Sequence, residues 1–121
     1  MDRIAKIIAL LLMSRTMSHK AHLAITGEAS YARHMALNTF YDEVVDLLDE
    51  LTESAQGKYG ILDIPEMDEK GDISDPIGLL ETHLKMFQNL AKSVEDRYLQ
   101  NISDEIEALY YRTLYKLKYL R

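Results

Sequence analysis

Residues 58–75, KYGILDIPEMDEKGDISD, are the longest stretch of the chain without helical periodicity, and their length decides the fold. A helix of about 25 residues is roughly 38 Å long. An extended connection of about 17 residues reaches roughly 55 Å. The stretch can therefore run the length of a helical bundle and let the helices before and after it lie parallel. Ile61, Leu62, Ile64 and Met67 predict that it lies against the bundle.

Two helices are predicted before this connection, because apolar residues recur there at helical spacing. The first covers about residues 2–25, and its inward stripe continues to His22. The second runs from Ser30, a suitable N-cap, to Gln56, and Gly57 and Gly60 end it.

Two further helices are predicted after the connection. Pro76 suits the first turn of the third helix, whose apolar stripe runs from Ile77 through Val94 to Tyr98. Residues suited to N-caps precede both helices: Ser74 or Asp75 for the third, and Asn101 or Ser103 for the fourth. Because no strand signal occurs, the sequence predicts an all-α four-helix bundle with a long crossover between helices 2 and 3.

Composition limits the classes of protein that the chain can represent. Its 121 residues predict one domain, residues 1–121. The net charge of −6 disfavours DNA as a partner, since binding phosphates requires clustered Lys and Arg. No cysteine is present, which excludes disulfides and thiolate metal sites. The apolar run at residues 7–13 is too short for a membrane span and has no cleavage site after it, so a cytoplasmic protein without a membrane partner is expected.

The residues that carry chemistry are two histidines followed by two acids. His22 and His34 lie twelve residues apart, and Asp49 and Glu53 follow one helical turn apart. Imidazole and carboxylate together suit a divalent transition metal such as iron, zinc or manganese. On the second helix, His34 and both acids border the apolar face, where two helices or two subunits meet.

Asn38 and Asp42 fall on the same border of the second helix and are secondary candidates for the site. The alternative is that these polar residues are the ordinary solvated face of an amphipathic helix. The chain contains no Glu-x-x-His, the motif that places two ligands on one turn in intrasubunit di-iron bundles. A site assembled from two subunits therefore agrees better with the sequence than a complete site in one subunit.

The spacing of these residues resembles the signature of Dps-type mini-ferritins. HLAITG at residues 22–27 places a His five residues before a turn Gly, His34 follows, and DELTE at residues 49–53 supplies Asp-x-x-x-Glu. All five positions match in register without a gap. Residues 81–85 and 114–120 are more loosely similar to the third and fourth helices of that family. Small ferritin-like proteins of bacteriophages look similar around residues 40–43 and 56–60.

The resemblance implies a ferritin-like bundle with an inter-subunit ferroxidase centre. In that family the histidines of one subunit meet the acids of a neighbour at a twofold interface. By matching position, His22 and His34 are ligands from one chain, and Asp49 and Glu53 are ligands from its partner, with no catalytic residue beyond them. The resemblance also implies a homo-oligomer, from a twofold dimer to a dodecamer. It would oxidise Fe2+ to Fe3+ with hydrogen peroxide or oxygen and store or detoxify the iron, with zinc or manganese as substitute metals.

Three departures from the family pattern are present, and the first of them, Asn38, favours an alternative function. Asn38 stands where the family has a carboxylate, and Asp42 is the residue that could replace it. Leu23 replaces the family's Trp, and the basic arm that condenses DNA is missing. The alternative is a catalytically inactive ferritin-like protein with a structural or assembly role, encoded by a phage and located in the host cytoplasm or the virion.

The predicted fourth helix carries tyrosines at every fourth position, Tyr111, Tyr115 and Tyr119. Such a row indicates packing or a contact between subunits, and transfer of electrons from iron is the alternative. The basic residues near the end of the chain, which include Lys118 and Arg121, complement the dipole of the helix. His19 and His83 receive no role from the sequence.

Overall fold

The computed structural model of the protein describes residues 2–120, so Met1 and Arg121 lie outside the described part. Four helices occupy most of this range: α1 Asp2–Ala24, α2 Ser30–Tyr59, α3 Pro76–Ala91 and α4 Arg97–Tyr119. No strand occurs between residues 2 and 120. The predicted all-α fold is therefore confirmed.

The ends of α2 differ from the prediction at both sides. Ala29 precedes the helix with a left-handed φ of 63°, and Ser30 is the first helical residue rather than the N-cap. At the other end, the helix continues through Gly57 and reaches Tyr59. Gly60 ends it with a φ of 91°, a conformation that glycine adopts without steric cost. The predicted end at Gln56 was therefore one turn early.

The start of α3 agrees with the prediction. The carboxylate of Asp75 accepts a hydrogen bond from the backbone N–H of Gly78 at 3.1 Å, as an N-cap does. Pro76 is the first residue of the helix, where its missing N–H leaves no hydrogen bond unmade.

The boundary between α3 and α4 was predicted wrongly. The apolar stripe suggested one helix through Tyr98, but α3 ends at Ala91 and α4 begins at Arg97, before the predicted caps. Val94 lies in the turn between them, where its N–H donates to the carbonyl of Ala91 at 3.0 Å. Val94 is buried in this turn, so the apolar stripe indicated which residues are buried and not which residues are helical. Hydrogen bonds to Asp96, the residue before α4, then position the start of this helix.

The directions of the helices follow from contacts between their ends. Lys58 and Tyr59, at the end of α2, both donate hydrogen bonds to the carboxylate of Asp96, just before α4. These bonds hold the pKa of Asp96 below its usual range. Nearer the other end, Arg112 of α4 lies 3.8 Å from Glu43 of α2. Helices α2 and α4 are therefore antiparallel.

The four helices form a square in cross-section. The packed pairs are α1 with α2, α1 with α3, α2 with α4, and α3 with α4. Within residues 2–120, the backbones of the remaining pairs, α1 with α4 and α2 with α3, do not approach closely and so lie on the diagonals. Ser14 of α1 lies within hydrogen-bonding distance of His83 of α3, while residues 3 and 4 of α1 line the same cavity as residues 93–96, beyond the end of α3. Helices α1 and α3 are therefore antiparallel as well.

The connection from residue 60 to residue 75 lies on the outside of α1. Its Glu69 accepts a hydrogen bond from Lys20 of α1 at 2.6 Å. Leu62 and Met67 are partly buried against the core, which agrees with the predicted contact with the bundle. Ile61 is exposed and makes no such contribution.

One glycine in this connection, Gly71, is predicted to contribute to the stability of the fold. Gly71 has a φ of 105°, and a Cβ there would lie 2.6 Å from Cδ1 of the buried Leu79. Gly71→Ala is expected to lower the free energy of unfolding by about 1–3 kcal/mol, because it adds backbone strain and a clash. Urea unfolding followed by circular dichroism measures the change.

A matched control is available in α2. Gly57 is helical and a Cβ there meets nothing within 4 Å, so Gly57→Ala is expected to stabilise the protein by about 0.5–1 kcal/mol. If Gly71→Ala were as stable as Gly57→Ala, the close approach of the connection to α3 would be contradicted.

Candidate metal centre

The short turn between α1 and α2 brings the first two candidate ligands into contact. The rings of His22 and His34 stack with their centroids 3.5 Å apart and their planes inclined by 24°. His22 ends the buried face of α1, and His34 lies half-buried in the second turn of α2. The sequence predicted His22 on the inward stripe of the first helix and His34 at the border of the apolar face of the second, and the structure shows that the two rings touch.

Each histidine of the pair is held by the backbone of the other. His22 Nδ1 lies 2.7 Å from the carbonyl oxygen of His34, and His34 Nδ1 lies 3.0 Å from the carbonyl oxygen of His22. Because a carbonyl only accepts, both Nδ1 atoms carry a proton and donate it. The carbonyl of His22 is among the last four of α1, which have no partner within the helix. We call this arrangement the reciprocal clasp.

The reciprocal clasp determines which ring nitrogens are available for chemistry. With Nδ1 protonated in the neutral imidazole, the lone pair is on Nε2 in both rings. Histidines that bind metals are commonly oriented in this way, with the second nitrogen donating to a carbonyl. In each neutral ring, Nε2 is therefore the nitrogen that could act as a metal ligand.

An aromatic and amide shell surrounds the pair. The ring of Tyr41 stacks on His19 at 4.2 Å and meets the ring of His22 edge-on at 5.3 Å. The Tyr41 hydroxyl donates to Oδ1 of Asn38 at 2.8 Å, and Nδ2 of Asn38 donates to Asp42 at 3.2 Å. Asn38 and Asp42 are thus connected to the histidine pair through Tyr41, a link that the sequence did not indicate.

The two acids of the predicted site lie away from the histidines. Asp49 and Glu53 are exposed on the outward side of α2. Asp49 comes fifteen residues after His34 on the same helix, which corresponds to about 22 Å along its axis. Among residues 2–120, no three His, Cys, Asp or Glu side chains are grouped closely enough to hold a metal ion. One subunit therefore presents the histidines and the acids as two separate half-sites.

Three exposed apolar side chains lie close in sequence to the histidine pair. Leu23 and Tyr31 are 72% and 74% exposed, and Met35 is 42% exposed. The three residues flank His22 and His34 in sequence, and we call them the turn patch. Exposed apolar groups that cluster beside a polar site are characteristic of surfaces that contact another protein.

One buried histidine in the core, His83, was given no role by the sequence analysis. His83 is fully buried on α3 and lies within hydrogen-bonding distance of Ser14 of α1 and the backbone carbonyl of Lys70. Desolvation by burial lowers its pKa. The signal in the sequence was its position three residues after Leu80 and one before Leu84, in the middle of an apolar stripe.

Comparison with known proteins places the chain in a family whose function is unknown. Residues 22–117 match the model of the family of unknown function DUF5856, and the chain belongs to this family. The matched range starts at His22 and includes His34, Asp49 and Glu53. Both candidate half-sites therefore lie within the part of the chain that the family model describes.

A relative occurs in Enterobacteria phage T4. It is an uncharacterized 14.6 kDa protein in the mobD–ri intergenic region, 26% identical over 111 residues, which are 91% of this chain and 84% of that protein. No solved structure matches the chain. Between residues 2 and 120, no helix combines the length and apolar character needed to cross a membrane.

Proposed function

We propose that the protein is a Dps-like iron-binding protein that oxidises Fe(II) at a site completed by two copies of the chain. His22 and His34 would come from one copy, and Asp49 and Glu53 from the other. The observation that carries the proposal is the contact between His22 and His34, in which both Nδ1 atoms are bonded to backbone carbonyls and the lone pair of each neutral ring is on Nε2.

The arrangement of the helices supports a ferritin-like bundle with a single crossover. Parallel α2 and α3 on one diagonal, joined by a long connection that passes along α1, agree with the topology of ferritin-like folds. The turn patch and the outward position of Asp49 and Glu53 support association through α1 and α2. Such an interface would bring the acidic half-site of one copy to the histidines of another.

The combined donor set fits iron. Two imidazoles and two carboxylates give a mixed nitrogen and oxygen site, which suits Fe2+ and leaves coordination positions for an oxidant. Two Fe2+ ions each lose one electron, and one hydrogen peroxide takes both electrons and two protons to give two waters. Zinc or manganese would occupy the same donors without this oxidation. Asn38 is an amide that is already bonded to Tyr41 and Asp42. Because the family pattern has a carboxylate at this position, the site here carries less negative charge.

Fe(II) oxidation by the wild type and by His22→Ala/His34→Ala tests the proposal. Formation of ferric product is followed by absorbance after peroxide or air is added. The wild type is expected to exceed the buffer rate by at least about tenfold, and the double variant to fall to that rate, because both imidazole ligands are gone.

His19→Ala is the matched control. It removes a neighbouring histidine that is not a proposed ligand, so it should keep most of the rate, and circular dichroism verifies that each variant is helical. Equal rates for the wild type and the double variant, both at the buffer background, would contradict the proposal.

The second candidate function is a structural or assembly protein without catalysis, and the reciprocal clasp favours it. The clasp satisfies a carbonyl at the end of α1 and joins α1 to α2 without any metal. The similarity to an uncharacterized phage T4 protein is compatible with a phage-encoded assembly role. Metal analysis with mass measurement in solution discriminates the two functions. A metal-loaded cage supports iron storage, and a metal-free assembly supports the structural role.

A further inference from the structure

The outward side of α4 carries a row of exposed side chains with two tyrosines at its centre. At about 100° per residue, Ala108 and Tyr111 lie within about 40° of the direction of Tyr115, and Asp104 and Tyr119 form the two ends of the same row. We call these five residues the α4 ridge. Tyr111 and Tyr115 are 53% and 56% exposed. Exposed aromatic groups in a contiguous row are characteristic of surfaces that contact another protein.

The tyrosines of the α4 ridge are ordered by their neighbours. The Tyr111 hydroxyl accepts a hydrogen bond from Gln88 of α3 at 3.0 Å. The rings of Tyr115 and Tyr119 lie with their centroids 5.8 Å apart. Between the ridge and α3 runs a groove of about 450 Å³, lined in part by Leu84. Side chains that are already ordered lose less conformational entropy when a partner binds, so the ridge is suited to a contact.

The charges beside the α4 ridge change sign near Tyr111. Between residues 104 and 119, the acids all precede Tyr111 and the bases all follow it: Asp104, Glu105 and Glu107, then Arg112, Lys116 and Lys118. Two such helices repel each other when parallel, because like charges meet. They attract each other when antiparallel, because each acidic end meets a basic end. The distribution of charge therefore selects a second, antiparallel copy of α4 as the partner.

The charged residues also lie on matching sides of the α4 ridge. Glu107 and Lys118 lie on the side of α3, since both bond side chains of that helix. Glu105 and Lys116 lie on the opposite side of the ridge. In an antiparallel pair with a twofold axis between residues 111 and 112, each side meets its own equivalent. Glu107 then faces Lys118 of the second copy, and Glu105 faces its Lys116, both within about 3 Å along the helix.

The same register fits the sizes of the side chains. Ala108 of one copy faces Tyr115 of the other, and the small side chain leaves room for the ring, as a hole does for a knob. Tyr111 faces its own symmetry mate across the axis. Arg112 of each copy lies beside the axis too, and its charge is balanced by Glu43 of the same chain, 3.8 Å away. One register therefore satisfies both the charges and the packing.

We propose that two copies of the chain associate through an antiparallel pair of α4 ridges, with the twofold axis beside Tyr111. This interface is separate from the histidine site, because α4 lies on the diagonal opposite α1. The two hypotheses can therefore fail independently. If both interfaces form, each chain has two different twofold contacts, and dimers join into a larger assembly.

Single cysteines test the pairing, since the chain has no cysteine of its own. Tyr111→Cys places the new thiol beside its symmetry mate. Tyr119→Cys is the matched control, because the two copies of residue 119 lie about 22 Å apart along the helices. Under mild oxidation, Tyr111→Cys is expected to form a covalent dimer at least about tenfold faster than Tyr119→Cys. Chance collisions predict the reverse order, since Tyr119 is the more exposed residue, at 70%. Arg112→Cys repeats the test with the Tyr111 ring in place.

Charge reversal tests the register in the Tyr111→Cys background. Glu105→Lys/Glu107→Lys and Lys116→Glu/Lys118→Glu should each lose the fast cross-link, because like charges then face each other across the axis. An equal mixture of the two variants should regain it, since every acid again faces a base. Circular dichroism verifies that each variant is helical.

Three results would overturn the α4 pairing. The first is that neither Tyr111→Cys nor Arg112→Cys links faster than Tyr119→Cys, which would indicate a parallel pair or chance collision. The second is a mixture of the charge variants that stays as slow as its components. The third is a chain that shows no fast cross-link and instead binds single-stranded DNA through the tyrosines, since the ridge would then have a different occupant.

Discussion

A mixture of two inactive variants is expected to recover about a quarter of the wild-type rate of Fe(II) oxidation. One variant, His22→Ala/His34→Ala, lacks the histidine half-site, and the other, Asp49→Asn/Glu53→Gln, lacks the acidic half-site. In a symmetric assembly every site takes one half from each of two subunits. After unfolding and refolding together at equal amounts, about one site in four would draw both of its halves from intact sources.

The mixture separates a shared site from a site within one chain. Each variant refolded alone should stay at the buffer rate, which excludes recovery through refolding itself. Wild-type protein taken through the same procedure gives the reference rate. If the mixture stayed at background while the wild type recovered, the sharing of ligands between two copies would be contradicted.

Phe40→Ala is expected to lower the free energy of unfolding by about 3–5 kcal/mol. The Phe40 side chain is fully buried, and its ring lies 4.9 Å from the ring of Tyr110. Removing it leaves a cavity between α2 and α4 that rigid helices cannot close. Because domains have only about 5–15 kcal/mol of net stability, the urea midpoint should fall by at least about a fifth of the wild-type value.

Tyr119→Ala is the matched control for Phe40→Ala. Tyr119 is an exposed aromatic at the end of α4, so its removal should change the stability by no more than about 0.5 kcal/mol. A loss of less than about 1 kcal/mol for Phe40→Ala would show that the core around Tyr110 is not packed as described.

Helical periodicity in the sequence was sufficient to predict the four helices but not all of their ends. The spacing of apolar residues reports which side chains are buried, and it reported Val94 correctly. It could not show that Val94 lies in a turn, because a buried turn residue and a buried helical residue give the same pattern. Gly57 and Gly60 illustrate a related limit. Glycine permits a helix to end, but of these two only Gly60 adopts the positive φ at which α2 ends.

The candidate site was predictable as a set of residues but not as a geometry. The apolar spacing predicted His22 on the inward stripe of α1 and His34 at the border of the apolar face of α2. The reciprocal clasp depends on the conformation of the intervening turn, which has no simple sequence signal. The network of Ser14, His83 and Tyr110 joins three helices through residues as much as 96 positions apart, so periodicity along one helix could not reveal it.

In a twofold dimer, the uninterrupted length of α2 would set the distance between the two metal centres. Because each site would pair the His34 end of one α2 with the Asp49 end of the other, two antiparallel copies would have to cross halfway between these residues, near Tyr41 and Asp42. The two metal centres would then lie about 22 Å apart, a distance set by the rise of the helix. Asp42 would face its own symmetry mate at the axis. Distance measurement by electron paramagnetic resonance between two bound Mn2+ ions would read this spacing directly.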